Sequence, residues 1–137
     1  MPIRPRILAD FEGRWRITRK IEHAAAPPAV FEGEANWSPD GADLLYAEAG
    51  LLQVGSHPAV RAERKYLWKP DLTVWFDDGR FFHQVPAAGG HSGHWCDPDQ
   101  YDVTYSFDSW PEFRVDWQVR GPRKSYVMRS HYRRGDA

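Results

Sequence analysis

Residues 14–21 read RWRITRKI, and the character of the chain changes at every step. Trp15, Ile17 and Ile21 fall on one side of an extended backbone, with Arg14, Arg16, Thr18 and Lys20 on the other. That two-residue period is the signature of a half-buried strand. The same rhythm returns in FEGEANW (31–37), VRAERKYLW (60–68), YDVTYSF (101–107) and FRVDWQV (113–119). Less regular strand candidates lie at 43–52, 72–76, 80–85 and 124–132. Turn chemistry separates them: PDGAD at 39–43, DDG at 77–79, AAGGHSG at 87–93 and RGP at 120–122. Only one brief helix is predicted, near residues 4–12 and ahead of Gly13.

So many antiparallel strands on short connections must dispose of their edges, by closing into a barrel or by pairing two sheets. Up-and-down order with one apolar face throughout favours closure. The expectation is an all-β fold, a single antiparallel up-and-down barrel of about 8–10 strands spanning 1–137. A barrel of that size holds one small ligand.

Bulk composition narrows the partners. The 137 residues carry a net charge of −1, with no basic stripe for nucleic acid and no apolar run for a membrane. One cysteine forms no internal disulfide and fits a reducing compartment, so a cytoplasmic monomer or homodimer is expected. Seven Trp, seven Phe and six Tyr suit a core that also faces a wet pocket, although β-rich chains favour aromatics in any case.

Phe11-Glu12-Gly13-Arg14-Trp15 resembles the Gly-x-Trp opening of the calycins, the superfamily of lipocalins, fatty-acid-binding proteins and nitrobindins. In those barrels the tryptophan closes one end and often stacks on a basic side chain of the last strand, a part open here to Arg129 or Arg133. Six ordered motifs make the chain similar, nearly end to end, to a short uncharacterised lipocalin-like family of bacterial and fungal proteins. They are Phe-Glu-Gly-x-Trp (11–15), Tyr-x-Glu-x-Gly (46–50), Arg-x-Tyr-x-Trp (64–68), Phe-Asp-Asp-Gly-Arg-x-Phe-His (76–83), His-x-Cys-x-x-Asp-x-Tyr (94–101) and Gly-Pro-x-Lys-x-Tyr (121–126). The resemblance implies a bacterial barrel protein with a pocket, and it carries no established activity.

Parity shows which polar residues share the apolar face and so line the interior. Arg19 is in step with Trp15, Ile17 and Ile21. Arg64 is in step with Tyr66 and Trp68, and Lys124 with Tyr126 and Met128. Glu48 shares parity with Leu44 and Tyr46, although 43–52 is apolar on both faces; His83 shares parity with Phe81 and Val85, with Phe82 making its phase ambiguous. Three inward cations then face one inward carboxylate. Either an Arg–Glu pair is structural and the other cations sit at wet barrel ends, or the cavity offers positive charge and tyrosine hydroxyls to an anionic ligand.

The stretch HSGHWCDPDQY (91–101) gathers the residue types of site chemistry. His91, His94 and Cys96, completed by Asp97, Asp99 or His83, match no standard zinc spacing. A haem ligand at His131 falls on the wrong parity. Cys96 as a nucleophile would need activation by His94, and beside Trp95 it reads better as packing. Asp97-Pro98-Asp99 is turn chemistry, so the stretch is predicted to be a glycine-rich lip leading into the strand at Tyr101, with His94 and Asp99 at a pocket mouth.

The leading reading is a small-molecule-binding barrel without metal or cofactor. Arg19, Tyr46, Glu48, Arg64, Tyr66, His83, His94, Asp99, Tyr101, Lys124 and Tyr126 are its candidate ligand-binding residues. The alternative is an enzyme on the same scaffold. Some calycin-type barrels, phenolic acid decarboxylases among them, work with Tyr, Arg and Glu in the cavity. Glu48 or His83 would then do acid–base work, with Arg64 holding a carboxylate. A third possibility, a cavity-free interaction module, would show an apolar outer patch instead.

Overall fold

The structure, a computed structural model, describes residues 4–135. Ten strands follow one another: β1 (Gly13–His23), β2 (Ala29–Asp40), β3 (Asp43–Val54), β4 (Val60–Trp68), β5 (Thr73–Phe76), β6 (Phe81–Gln84), β7 (Gly90–Cys96), β8 (Asp99–Ser106), β9 (Phe113–Arg120) and β10 (Ser125–Arg134). They form one antiparallel sheet in the order β6-β5-β4-β3-β2-β1-β10-β9-β8-β7. Chain neighbours are therefore sheet neighbours, and β10 returns to pair with β1. Only β6 and β7 lack a ladder to each other. Their seam is bridged by the His94 ring, whose centroid lies 6.1 Å from Phe81 and 5.8 Å from Phe82. The barrel is nearly closed.

The predicted period holds where it was clearest. In β1, Trp15, Ile17, Arg19 and Ile21 are buried and Arg14, Arg16 and Lys20 are not. Strand β3, ambiguous in sequence, resolves with Leu44, Tyr46 and Glu48 inward. In β6 both Phe82 and His83 are buried, because the β5–β6 register slips between Val74 and Trp75 and a bulge breaks strict alternation. The helix expected at 4–12 is only a 3-10 turn at Leu8–Asp10.

Residues 90–96 correct the sequence reading. They are not a lip but a strand, β7, paired along its length with β8. Two glycines suggested a loose loop, yet Ser92, His94 and Cys96 alternate with His91, Gly93 and Trp95, and hairpin pairing overrides the weak local propensity. Cys96 is exposed rather than packed, because it stands at the strand end beside the turn.

One barrel end is plugged by aromatics. Phe11 lies at ring-centroid distances of 5.1 Å from Trp68, 5.3 Å from Trp110 and 5.6 Å from Phe113. Trp15 is fully buried and donates its indole N–H to the Phe11 carbonyl at 2.8 Å. The cation on Trp15 is Arg134, 4.0 Å from the ring centroid, and neither Arg129 nor Arg133. Register decides this: Trp15 lies opposite Arg134, whereas Arg133 lies opposite Arg16 and Arg129 opposite Lys20. Arg134 also donates to the carbonyls of Asp10 and Glu12, both at 2.7 Å, and so ties the last strand to the plug.

Gly33 and Gly50 face each other across β2 and β3. A Cβ at Gly33 would stand 2.2 Å from the Ala49 carbonyl oxygen, and one at Gly50 2.2 Å from that of Glu32. Backbone fills the space, so no rotamer relieves the overlap. Gly33→Ala is expected to cost about 1–3 kcal/mol through overpacking, read as a lower urea midpoint at unchanged slope. An unchanged midpoint would contradict the close approach.

Candidate functional site

Inside the barrel, beyond the plug, lies a cavity of about 200 Å³. Tyr66, Phe76, Phe82, Tyr101, Tyr105, Trp117 and Tyr126 supply much of its wall, and Arg19, Glu48, Arg64, His83, Ser130 and Tyr132 its polar groups.

The deep end is one hydrogen-bond network. Arg19 of β1 meets Glu48 of β3 with two parallel bonds, Nη1 to Oε2 at 2.6 Å and Nη2 to Oε1 at 3.0 Å. Its Nε donates to Ser130 Oγ of β10 at 2.8 Å. Tyr46 donates its hydroxyl to Glu48 Oε1, and Tyr132 Oη lies 2.8 Å from Tyr46 Oη. Burial alone would raise the Glu48 pKa, but the hydrogen bonds and charge of Arg19 outweigh it and hold the carboxyl below its usual range. Burial and the neighbouring Tyr132 and Glu48 push Tyr46 well up, and burial foremost pushes Tyr132 up to about 12. Glu48 is thus anionic and Tyr46 keeps its proton. Tyr46 commits its one O–H as a hydrogen bond to Glu48, so its oxygen accepts the hydrogen bond from Tyr132, and the polarity of the chain is set.

His83 lies on the opposite wall, 3% exposed, with Nε2 at 2.8 Å from Tyr105 Oη. Burial lowers its pKa to about 3, assisted by the nearby His94, so the ring is neutral. Its Nδ1 has no partner among the described residues, nor has Nε1 of Trp37, another wall residue.

Arg64 differs from Arg19. It lines the cavity, yet its residue is largely exposed, which places it toward the open end. It forms no ion pair or side-chain hydrogen bond among the described residues. Its charge reaches both Glu48 and Tyr126, so it stands between the buried pair and the half-buried tyrosine at the start of β10.

Of the eleven sequence candidates, the cavity wall brings together Arg19, Tyr46, Glu48, Arg64, Tyr66, His83, Tyr101 and Tyr126. It does not include Lys124, Asp99 or His94. Lys124 precedes β10, so strand parity was extended past the strand end; its Nζ sits on the rim, 3.4 Å from Asp99 Oδ2 and 3.2 Å from Tyr101 Oη. His94 packs in the seam against Phe81, Phe82 and Tyr101. His91 and His94 are three apart on a strand and so point to opposite faces, with His91 3.6 Å from Asp102. Among the described residues no three His, Cys, Asp or Glu side chains converge as metal ligands. Ser130, Tyr132 and Tyr105 were missed, although the first two share the parity of Tyr126 and Met128, and Tyr105 that of Tyr101 and Val103.

Arg19 holds Glu48 ionised, so the carboxyl has no proton to give as a general acid, and the neutral His83 ring is likewise no imidazolium donor. The depressed His83 pKa has a measurable consequence. Above pH 6.5 the ring is neutral both folded and unfolded; as pH falls toward about 3 the unfolded chain takes up a proton that the folded chain refuses. Stability should fall between pH 6.5 and 5, before carboxylates titrate, with a slope approaching ~1.4 kcal/mol per pH unit. His83→Leu should flatten that slope, leaving a remainder from His94, whose pKa burial also lowers. An equal slope in the variant would show that His83 is not buried neutral.

Residues 11–134 match a family described as "Family of unknown function (DUF6314)". Among curated proteins no sequence matches. A solved structure titled as the S-type phycobiliprotein lyase CPES from Guillardia theta superposes with a TM-score of 0.71, covering 95% of this chain and 91% of that one at 9% identity. At that identity the likeness shows a shared antiparallel barrel fold and nothing of activity.

Proposed function

The chain belongs to DUF6314, a family of unknown function, and from that premise we propose that it is a small-molecule-binding barrel whose ligand is anionic or oxygen-rich. One observation carries the reading: Arg64 is a cavity-lining cation that closes no ion pair among the described residues, and the nearest interior carboxylate, Glu48, is already bonded to Arg19. Arg19 is neutralised by Glu48, and His83 is uncharged. The polar groups on this wall therefore leave one positive charge unanswered. A guanidinium fork at the mouth of an aromatic cavity suits a planar oxyanion that it grips with two hydrogen bonds. Enclosure by ring faces supplies apolar contact to the rest of the ligand, the usual division of labour in small-molecule sites. The orphaned Nδ1 of His83 and Nε1 of Trp37 support the same reading, since buried polar atoms without partners cost about 1–3 kcal/mol each and a polar ligand would supply what they lack.

Native mass spectrometry of the protein expressed in its own host should show an added small-molecule mass. Arg64→Ala should lose that mass while the fold, read by far-UV circular dichroism, is kept. Retention of the same mass in Arg64→Ala would refute the role given to Arg64. Arg64 is exposed enough for its removal to leave the core intact.

A further inference from the structure

The cavity offers different chemistry at its two ends, and that difference selects a ligand class. We propose that the ligand is a monocarboxylate built on one flat ring, its carboxylate on Arg64 at the mouth and a hydroxyl at its far end between Ser130 and Tyr132. This rests on the cavity-binding reading above and adds the ligand's charge, size and orientation.

Charge comes first. With Arg19 and Glu48 paired, a single negative charge matches Arg64, and a dianion would find no second cation free of an ion pair on the cavity wall. Size follows from the volume. A dry cavity of roughly 150 Å³ takes one benzene ring, so about 200 Å³ accommodates one ring with short substituents and not a fused polycycle bearing side chains. Flatness follows from the wall, whose apolar lining is largely aromatic, with Tyr66, Phe76, Tyr101 and Trp117 among its rings. A ring packs on such faces in offset or edge-on contact.

The hydroxyl follows from counting protons. Ser130 Oγ accepts from Arg19 Nε, so its own proton remains to be donated. Tyr132 donates its hydrogen bond to the Tyr46 oxygen, because Tyr46 has committed its own O–H to the Glu48 carboxylate, and so Tyr132 Oη retains only acceptor capacity. Ser130 and Tyr132 lie two residues apart on the inner face of β10, and both line the cavity. One donor and one acceptor therefore remain at the deep end. A hydroxyl answers both; an ether, a halogen or a second carboxylate does not.

The test uses four probes with the full chain, titrated by calorimetry with tryptophan fluorescence as a second readout: 4-hydroxyphenylacetate, phenylacetate, methyl 4-hydroxyphenylacetate and indole. The hydroxy acid should bind tightest, and loss of either the hydroxyl or the charge should weaken binding about tenfold or more. Arg64→Gln should abolish the acid-over-ester preference and leave the hydroxyl preference. Tyr132→Phe should do the reverse, with Ser130→Ala as the second variant where the first folds poorly. Equal binding of acid and ester, or a preference unmoved by Arg64→Gln, overturns the proposal. Indole binding with no preference among the other three overturns the ligand class while the cavity reading stands. No binding of any probe, with no co-purifying mass, overturns both.

Discussion

Two charges are removed from water together where Arg19 meets Glu48, and the interior is arranged around that event. Desolvating either ion alone costs several kcal/mol, and only close, well-oriented pairing offsets it. The geometry meets that demand: two parallel bonds between the groups, a third from Arg19 Nε to Ser130, and a further hydrogen bond donated to the carboxylate by the Tyr46 hydroxyl. Residues of β1, β3 and β10 are joined across the barrel by side chains as well as by ladders. An apolar pair of equal volume often stabilises as well as an ion pair, so stability alone does not account for charge at this depth. What the pair adds is direction. It fixes which way the tyrosine protons point and leaves Arg64 as the unbalanced charge on the wall.

The same barrel treats its two ends differently. At one end the aromatic plug is covered by two cations, Arg6 over Trp110 and Arg134 over Trp15, and Arg134 also bonds the carbonyls of Asp10 and Glu12. At the other, Lys124, Asp99 and Tyr101 form a polar rim beside the turn before β10. The seam between β6 and β7 is closed by side chains rather than by a ladder, with His94 against two phenylalanines. Edge strands facing each other in this way avoid open pairing sites without completing the hydrogen-bonded ring.

Much of this was legible in the sequence, for a physical reason. Period two is a property of extended backbone, so Trp15, Ile17 and Arg19 reported their side wherever the strand was regular, and the barrel followed from many such strands on short turns. Arg19 and Arg64 line the cavity as that rule expects, whereas the phase of Glu48 stayed open until the ladder with β2 and β4 fixed it, because 43–52 is apolar on both faces. The rule failed where the strand stopped or slipped. Lys124 lies before the first residue of β10, and the Val74/Trp75 register shift buries Phe82 and His83 together. The strand at 90–96 was hidden because its glycines carry no pattern, and its partner β8 supplies the order. Arg134, rather than Arg129 or Arg133, covers Trp15 because cross-strand register, invisible in a single strand, sets neighbours.

The account stands on Glu48 being anionic because Arg19 holds it. A side-chain carbon-13 NMR titration of Glu48, with the Arg19 Hε resonance followed in the same samples, measures this directly. The account predicts a Glu48 carboxyl that stays ionised from neutral pH down past the ordinary carboxylate range, with Arg19 Hε protected from exchange throughout. A Glu48 carboxyl that takes up its proton near neutral pH would contradict it, and with it the charge balance that leaves Arg64 to a ligand.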